Sequence, residues 1–192
     1  RSTLFPYTTL FRSRCNFSNI LSESSIIFEI DNLLLNQSYL SFDQNNIKNV
    51  SIDLYGDYFL SATSSNMVSF SNNYFTKLSG KGAVLSTSLS KFLLIRGNTL
   101  ENNLATSFYR GETDINNSTL IENNVGTNIG ALTTFIKINI ILNQGYINLR
   151  NNIFQNLSIV SDPSAYRPLN FISIDTEAAA NLNGTPNVEI SG

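Results

Sequence analysis

Residues 70–85 read FSNNYFTKLSGKGAVL. An apolar residue, two polar positions and an Asn lead into a second apolar pair, a polar turn, Gly-Ala and an alternating apolar run. Alternation with period two, bounded by Asn, Gly and Ser, is a strand-and-turn pattern, and a helical period is hard to find anywhere in the chain. The stretch also recurs. Aligned on apolar-x-x-Asn-x-apolar-x-Asn-apolar, residues 42–50 (FDQNNIKNV) and 149–157 (LRNNIFQNL) fit throughout. Residues 70–78 (FSNNYFTKL) carry Lys77 for the second Asn, and residues 95–103 (IRGNTLENN) reach their last apolar place one residue late, at Leu104. Residues 118–125 (STLIENNV) form a looser copy with one inserted residue, which puts the start of that copy near residue 116. Residues 17–20 (FSNI) read as the tail of a copy and residues 188–192 (VEISG) as the front of one, so the chain is expected to be a fragment truncated within a repeat at both ends.

An irregular period averaging about 27 residues suits one turn of a parallel β-solenoid with loops of variable length. Further alternating segments at 25–35, 58–62, 83–87, 131–142 and 169–174 give each turn two or three short strands. Equivalent strands then stack ~4.8 Å apart in parallel sheets, an all-β fold of about six to seven turns. Within each copy the first apolar residue points into the core and the next points out. The Asn is expected in the turn, where it tolerates left-handed backbone and bonds nearby peptide groups. Asn45, Asn73, Asn98 and Asn152 are predicted to stack as an amide ladder along the axis. Gly82 and Gly130 are expected at tight bends before the next strand, with Ala83 and Ala131 where only a small side chain fits.

The pairing of F-x-x-N with a later G-A-[VL] resembles the repeats of the polymorphic outer-membrane proteins of chlamydiae. More broadly it is similar to the right-handed parallel β-helix (pectin-lyase-like) repeats of large surface proteins in bacteria and ciliates. The tetrad is complete at residues 42–45 and 70–73, with Ile or Leu for Phe at 95–98 and 149–152, and Gly-Ala stands at 82–83 and 130–131. The family's doubled Gly is reduced here to Lys81-Gly82 and Ile129-Gly130. The resemblance implies a right-handed single-stranded β-helix and an extracellular or cell-surface setting. The motif residues are core and turn residues, so they carry fold rather than chemistry.

Residues 3–13 (TLFPYTTLFRS), continued by Arg1 and Ser2, resemble the conceptual translation of a widely used short-read sequencing adapter. Residues 1–13 are therefore set aside from the fold and 14–192 taken as the β-helix domain. That is enough chain for one domain with a sizeable core. Only 14% of residues are charged and the net charge is −2, so no basic surface points to nucleic acid. Asn, present 28 times, and Ser supply the polar surface instead. No apolar run approaches the roughly 18 residues of a membrane helix. One Cys and no His exclude an internal disulfide framework, a Cys cluster and imidazole chemistry, and no cofactor or metal is expected.

Two readings of function follow. The first is a non-enzymatic, stiff scaffold contacting carbohydrate or another surface protein. The alternative is a polysaccharide lyase or hydrolase of pectin-lyase-like fold. Hydrolases of that shape usually carry clustered Asp with Gly-His-Gly, and no His exists here. Lyases use an Arg or Lys base beside Asp-bound calcium. The outward residues after the first apolar one, Asp43, Ser71, Arg96 and Arg150, put Arg96 and Arg150 in one column. Asp43 lies two turns from Arg96, ~10 Å, too far for an ion pair, so Asp43, Arg96 and Arg150 are the candidates for carbohydrate contact. Asp53 and Asp57 are a weak cation-binding pair. Tyr55, Tyr58, Tyr109 and Tyr166 are candidates for stacking on sugar rings. Asn-x-Ser/Thr acceptors at Asn16, Asn36, Asn116, Asn117 and Asn183 are candidate glycosylation sites, whereas those at Asn49 and Asn156 fall in the repeat and read as turn residues.

Overall fold

A computed structural model of the chain describes residues 9–22, 28–30, 39–52, 58–63, 66–80, 82–104, 107–111, 118–131, 134–140, 146–159, 171–176 and 187–191. Among these residues the regular structure is all strand, with no helix. The first sheet contains β1 (Thr9–Ser13), β4 (Tyr39–Asp43), β7 (Met67–Ser71), β10 (Phe92–Arg96), β13 (Ser118–Glu122), β16 (Tyr146–Arg150) and β19 (Asn187–Ser191). The second contains β2 (Asn16–Ser22), β5 (Asn46–Ile52), β8 (Tyr74–Gly80), β11 (Thr99–Leu104), β14 (Val125–Ala131) and β17 (Ile153–Ile159). The third contains β3 (Phe28–Ile30), β6 (Tyr58–Thr63), β9 (Ala83–Ser88), β12 (Ser107–Gly111), β15 (Ile136–Ile140) and β18 (Ile172–Thr176). Every third strand joins the same sheet and every pairing is parallel, so the chain is a parallel β-solenoid with three strands to a turn. The fully buried side chains concentrate in about four turns, β4 to β15.

Thr9–Ser13, within the stretch set aside on sequence grounds, pairs in parallel with β4, Arg12 opposite Phe42. Its TLFRS sequence has the β-forming residues such an edge strand needs.

The repeat explains the core. Its first apolar residue lies in register from turn to turn, Phe42, Phe70, Ile95, Ile121 and Leu149, and all are buried. The fourth copy therefore starts at Ile121, not near residue 116. Leu120 and Ile121 both offer an apolar start, and only the register shows which one faces inward. Aromatic rings run along the axis: Phe42 stacks on Phe70 at 5.3 Å, Phe70 meets Phe108 edge-on at 6.5 Å, and Phe108 stacks on Phe135 at 5.8 Å. Phe135 stacks in turn on Phe171 at 4.8 Å. Offset and edge contacts of this kind add about 0.5–1.5 kcal/mol per pair beyond the area buried.

The predicted amide ladder forms, and it has a fifth member. Asn45, Asn73, Asn98, Asn124 and Asn152 are joined by Nδ2–H···Oδ1 bonds of 2.9, 3.0, 2.9 and 2.8 Å. Each acceptor Oδ1 also takes the backbone N–H of the Asn before it, at 3.0–3.1 Å. The second amide hydrogen of Asn73, Asn98, Asn124 and Asn152 goes to the carbonyl of Phe42, Phe70, Ile95 and Ile121. Asn73, Asn98 and Asn124 thus use both donors and both lone pairs, a complete set for a buried carboxamide. Cys15 occupies the same place one turn earlier, its N–H donating to Asn45 Oδ1 at 3.0 Å.

The left-handed residue is not the ladder Asn but the one before it: Gln44, Asn72, Gly97, Asn123 and Asn151 have φ of 54–64°. The ladder Asn needs ordinary backbone so that its own N–H can reach the next amide. A second left-handed column, Asn49, Lys77, Asn102, Asn128 and Asn156, lies inside the second-sheet strands. It interrupts the alternation, so Ile47 and Val50, or Phe75 and Leu78, all turn inward. The second Asn of the repeat therefore marks a bend inside a strand, where Asn is among the residues that best tolerate positive φ.

The glycines divide. Gly82 does precede β9, its N–H donating to the Ile52 carbonyl at 3.1 Å. Gly130 and Ala131 instead end β14, with Gly130 opposite Leu104. The two Gly-Ala pairs are therefore not equivalent. The close approach in this region is at Gly80, where φ is 110° and an added Cβ would lie 2.0 Å from the Ile52 carbonyl oxygen.

Replacing Asn98 with Ala leaves several buried groups of neighbouring turns unpaired and should lower stability by roughly 3–5 kcal/mol. Cys15→Asn, which supplies the missing amide, should raise it. Urea midpoints of the two variants test the ladder, and equal midpoints for Asn98→Ala and the parent chain would refute it.

Candidate functional site

Along each first-sheet strand the side chains alternate, so three outward rows run parallel to the axis. The first row is Tyr39, Met67, Phe92, Ser118 and Tyr146; the second Ser41, Ser69, Leu94, Leu120 and Asn148; the third Asp43, Ser71, Arg96, Glu122 and Arg150. Their inward neighbours, among them Leu93, Ile95, Ile147 and Leu149, are buried in the core.

The third row holds the residues singled out for carbohydrate contact. Arg96 and Arg150 do share a column, but Glu122 stands between them. Glu122 accepts from Arg150 Nε at 2.6 Å and lies 3.4 Å from Arg96 Nε. The Glu122 side chain is only 6% exposed while the two arginines are 57% and 47% exposed. A nearly buried carboxylate between two guanidinium groups is a charge-assisted pairing, stronger than an ordinary surface ion pair. Asp43 is separate from this triad and accepts from Asn72 Nδ2 at 3.0 Å. Starting the fourth repeat too early hid Glu122 from the sequence reading, as it hid Asn124. The available signal was the tetrad Ile121-Glu122-Asn123-Asn124, a full apolar-x-x-Asn match.

The other expected sites are dispersed. Asn16 is exposed on β2. Asn36, Asn116, Asn117, Asn183, Asp53, Asp57, Tyr55 and Tyr166 lie outside the described residues. Tyr58 and Tyr109 are buried, not exposed, and the Tyr109 hydroxyl hydrogen-bonds Thr87 Oγ1 at 2.8 Å inside the core. They fall in third-sheet strands packed on the core, where an aromatic ring is needed for volume. Among the described residues the exposed aromatics are Tyr74, Phe92 and Tyr146. Tyr74 donates to Glu101 at 2.7 Å, and that bond, with lesser help from burial and the carboxylate's charge, raises its pKa above the ordinary 10.0. Among the described residues no group of three or more His, Cys, Asp or Glu side chains is placed to hold a metal ion.

A cavity of about 250 Å³ is lined by residues of β15 to β19 and the turn after β16: Ile136, Leu149, Asn152, Phe154, Ile172 and Ile190 together with Ser191. Its lining is largely apolar core and contains no titratable group, so it offers no acid–base chemistry. No helix among the described residues is long and apolar enough to cross a membrane. Compared with known protein families, curated proteins and solved structures, the chain has no match.

Glu122→Gln should cost about 1–2 kcal/mol, because the neutral amide no longer balances either guanidinium. The deficit should shrink as salt screens the freed charges. Thermal melts at low and high ionic strength check both, and a salt-independent deficit would mean that Glu122 acts through packing alone.

Proposed function

We propose that this chain is a stiff, non-enzymatic scaffold, a right-handed, pectin-lyase-like parallel β-helix of six to seven turns from a secreted or cell-surface protein. Its work is to hold outward strand faces and loops at fixed spacing against carbohydrate or another surface protein. The observation that carries this reading is the amide ladder, with both donors and both acceptors of its central members used across five successive turns. Each turn is locked to the next by side-chain as well as backbone hydrogen bonds, and a solenoid so locked resists bending. The three sheets of seven, six and six strands support the turn count, and the repeat's likeness to surface-protein β-helices supports the setting.

The alternative, a lyase or hydrolase of the same fold, would draw on Arg96 and Arg150. Both guanidinium groups are already engaged by Glu122, which favours a structural and contact role.

Incubation of the full chain with polygalacturonate, alginate, chitin oligomers and hyaluronan should leave the length of each glycan unchanged, as judged by viscosity and reducing ends. Shortening of any of them, abolished by Arg96→Gln or Arg150→Gln, would replace the scaffold with the enzyme.

A further inference from the structure

The second sheet presents a column of asparagines at its left-handed bend. Asn49, Asn102, Asn128 and Asn156 have φ of 52–55° and are all exposed. The residues that follow the first three, Val50, Asn103 and Ile129, are buried. Two of the four asparagines begin an Asn-x-Ser triplet, Asn49-Val50-Ser51 and Asn156-Leu157-Ser158. Alternation after the bend brings each serine back to the outer face, Ser51 half-exposed and Ser158 exposed. Asn102 and Asn128 share the backbone but not the hydroxyl, since Leu104 and Gly130 stand two places on. Asn49 and Asn156 are bend residues, as their place in the repeat implies, and the bend is what puts them on the surface. The Asn156 amide shows how a substituent fits there. One Nδ2–H donates to Asn128 Oδ1 at 2.9 Å, and Asn128 Nδ2 donates in turn to Asn102 Oδ1 at 3.0 Å. A carboxamide nitrogen has two hydrogens, so one remains for replacement.

We propose that Asn49 and Asn156 carry N-linked oligosaccharides, which makes the outer face of the second sheet the glycosylated side of the solenoid. The donor is a lipid-pyrophosphate-linked oligosaccharide of the secretory pathway. Nδ2 bonds to C1 of its first sugar, the bond from C1 to the pyrophosphate oxygen breaks, and the lipid pyrophosphate leaves with that electron pair. One Nδ2 proton passes to a base of the transferase. The product keeps one Nδ2–H, which is what the Asn156–Asn128 bond needs, while the sugar lies in solvent. Among the described residues the acceptor asparagines are Asn16, Asn49 and Asn156, and all three lie in second-sheet strands, β2, β5 and β17. Four steps of ~4.8 Å separate β5 from β17, so the two glycans stand ~19 Å apart along the axis. Sugar on this face leaves the first sheet, with its Arg96–Glu122–Arg150 triad, bare for contact with a partner.

This inference rests on the secreted or cell-surface setting, and its test reads site occupancy, whereas the scaffold reading stands or falls on glycan cleavage. The full chain is expressed behind a eukaryotic secretion signal, and the secreted protein is treated with peptide N-glycosidase, which converts each carrier Asn to Asp. Peptide mass spectrometry should find Asp at positions 49 and 156 and unchanged Asn at 102 and 128. Ser51→Ala and Ser158→Ala remove the hydroxyls without touching the bends, and each should abolish one glycan, read as one step in electrophoretic mobility. Because both bends face outward, the glycosylated chain should share its circular dichroism spectrum and urea midpoint with the same chain made without glycans. Unconverted Asn at either position in the secreted protein would overturn the assignment there and leave the scaffold intact. Occupied sites in a chain that has lost its β spectrum would overturn the outward placement of the bends.

Discussion

One carboxamide per turn sets the geometry of this protein. A buried Asn side chain has two donors and two acceptor positions, and all four are used in Asn73, Asn98 and Asn124 only when adjacent turns lie in a single register. Slipping β7 by one residue would strand those groups and turn its two core residues, Val68 and Phe70, outward together. Register is thus fixed twice over, by a polar network and by the apolar column beside it. The sequence separations between successive ladder residues, 28, 25, 26 and 28, vary without disturbing either column. The surplus residues fall between the strands, where changes in length cost little.

The same constraint explains what could be read from the amino-acid sequence. The first-sheet strands and four ladder positions were legible because an inward apolar residue and an Asn three places on recur together. The fourth turn was misread because residues 118–125 were aligned with an inserted residue and a start near 116, where the tetrad at 121–124 fits without one. That single misalignment concealed both Asn124 and Glu122, so the missing ladder member and the missing ion-pair partner are one error. The left-handed position was obscured by doubled asparagines at 72–73, 123–124 and 151–152, where either could take positive φ. Gly97 before Asn98 was the discriminating residue, since Gly adopts that backbone without steric cost. Third-sheet strands such as Ser107–Gly111 were less visible because SFYRG lacks clean alternation. Its Phe108 and Tyr109 are both buried, where a corner places consecutive residues against the core.

Stacking in register also gives the surface its character. Any outward position becomes a row with a repeat of ~4.8 Å, so chemistry on this face is periodic whether or not it is used. Such a surface suits a periodic partner better than a compact one, since a polymer can repeat one contact along the axis and gain affinity from each repetition. The aromatic and arginine rows add a coarser period of two turns to that grid. Neither the ladder nor the core demands this second period, because both are satisfied turn by turn.

Glu122 ties the two levels together. Its carboxylate, 6% exposed, needs compensation on both sides, and the residues that supply it are the arginines one turn before and one turn after. The two-turn spacing of Arg96 and Arg150 is therefore enforced by the burial of a charge between them. Arginine suits both places, because its planar guanidinium holds its N–H donors in a fixed fork and stays charged beside a buried carboxylate.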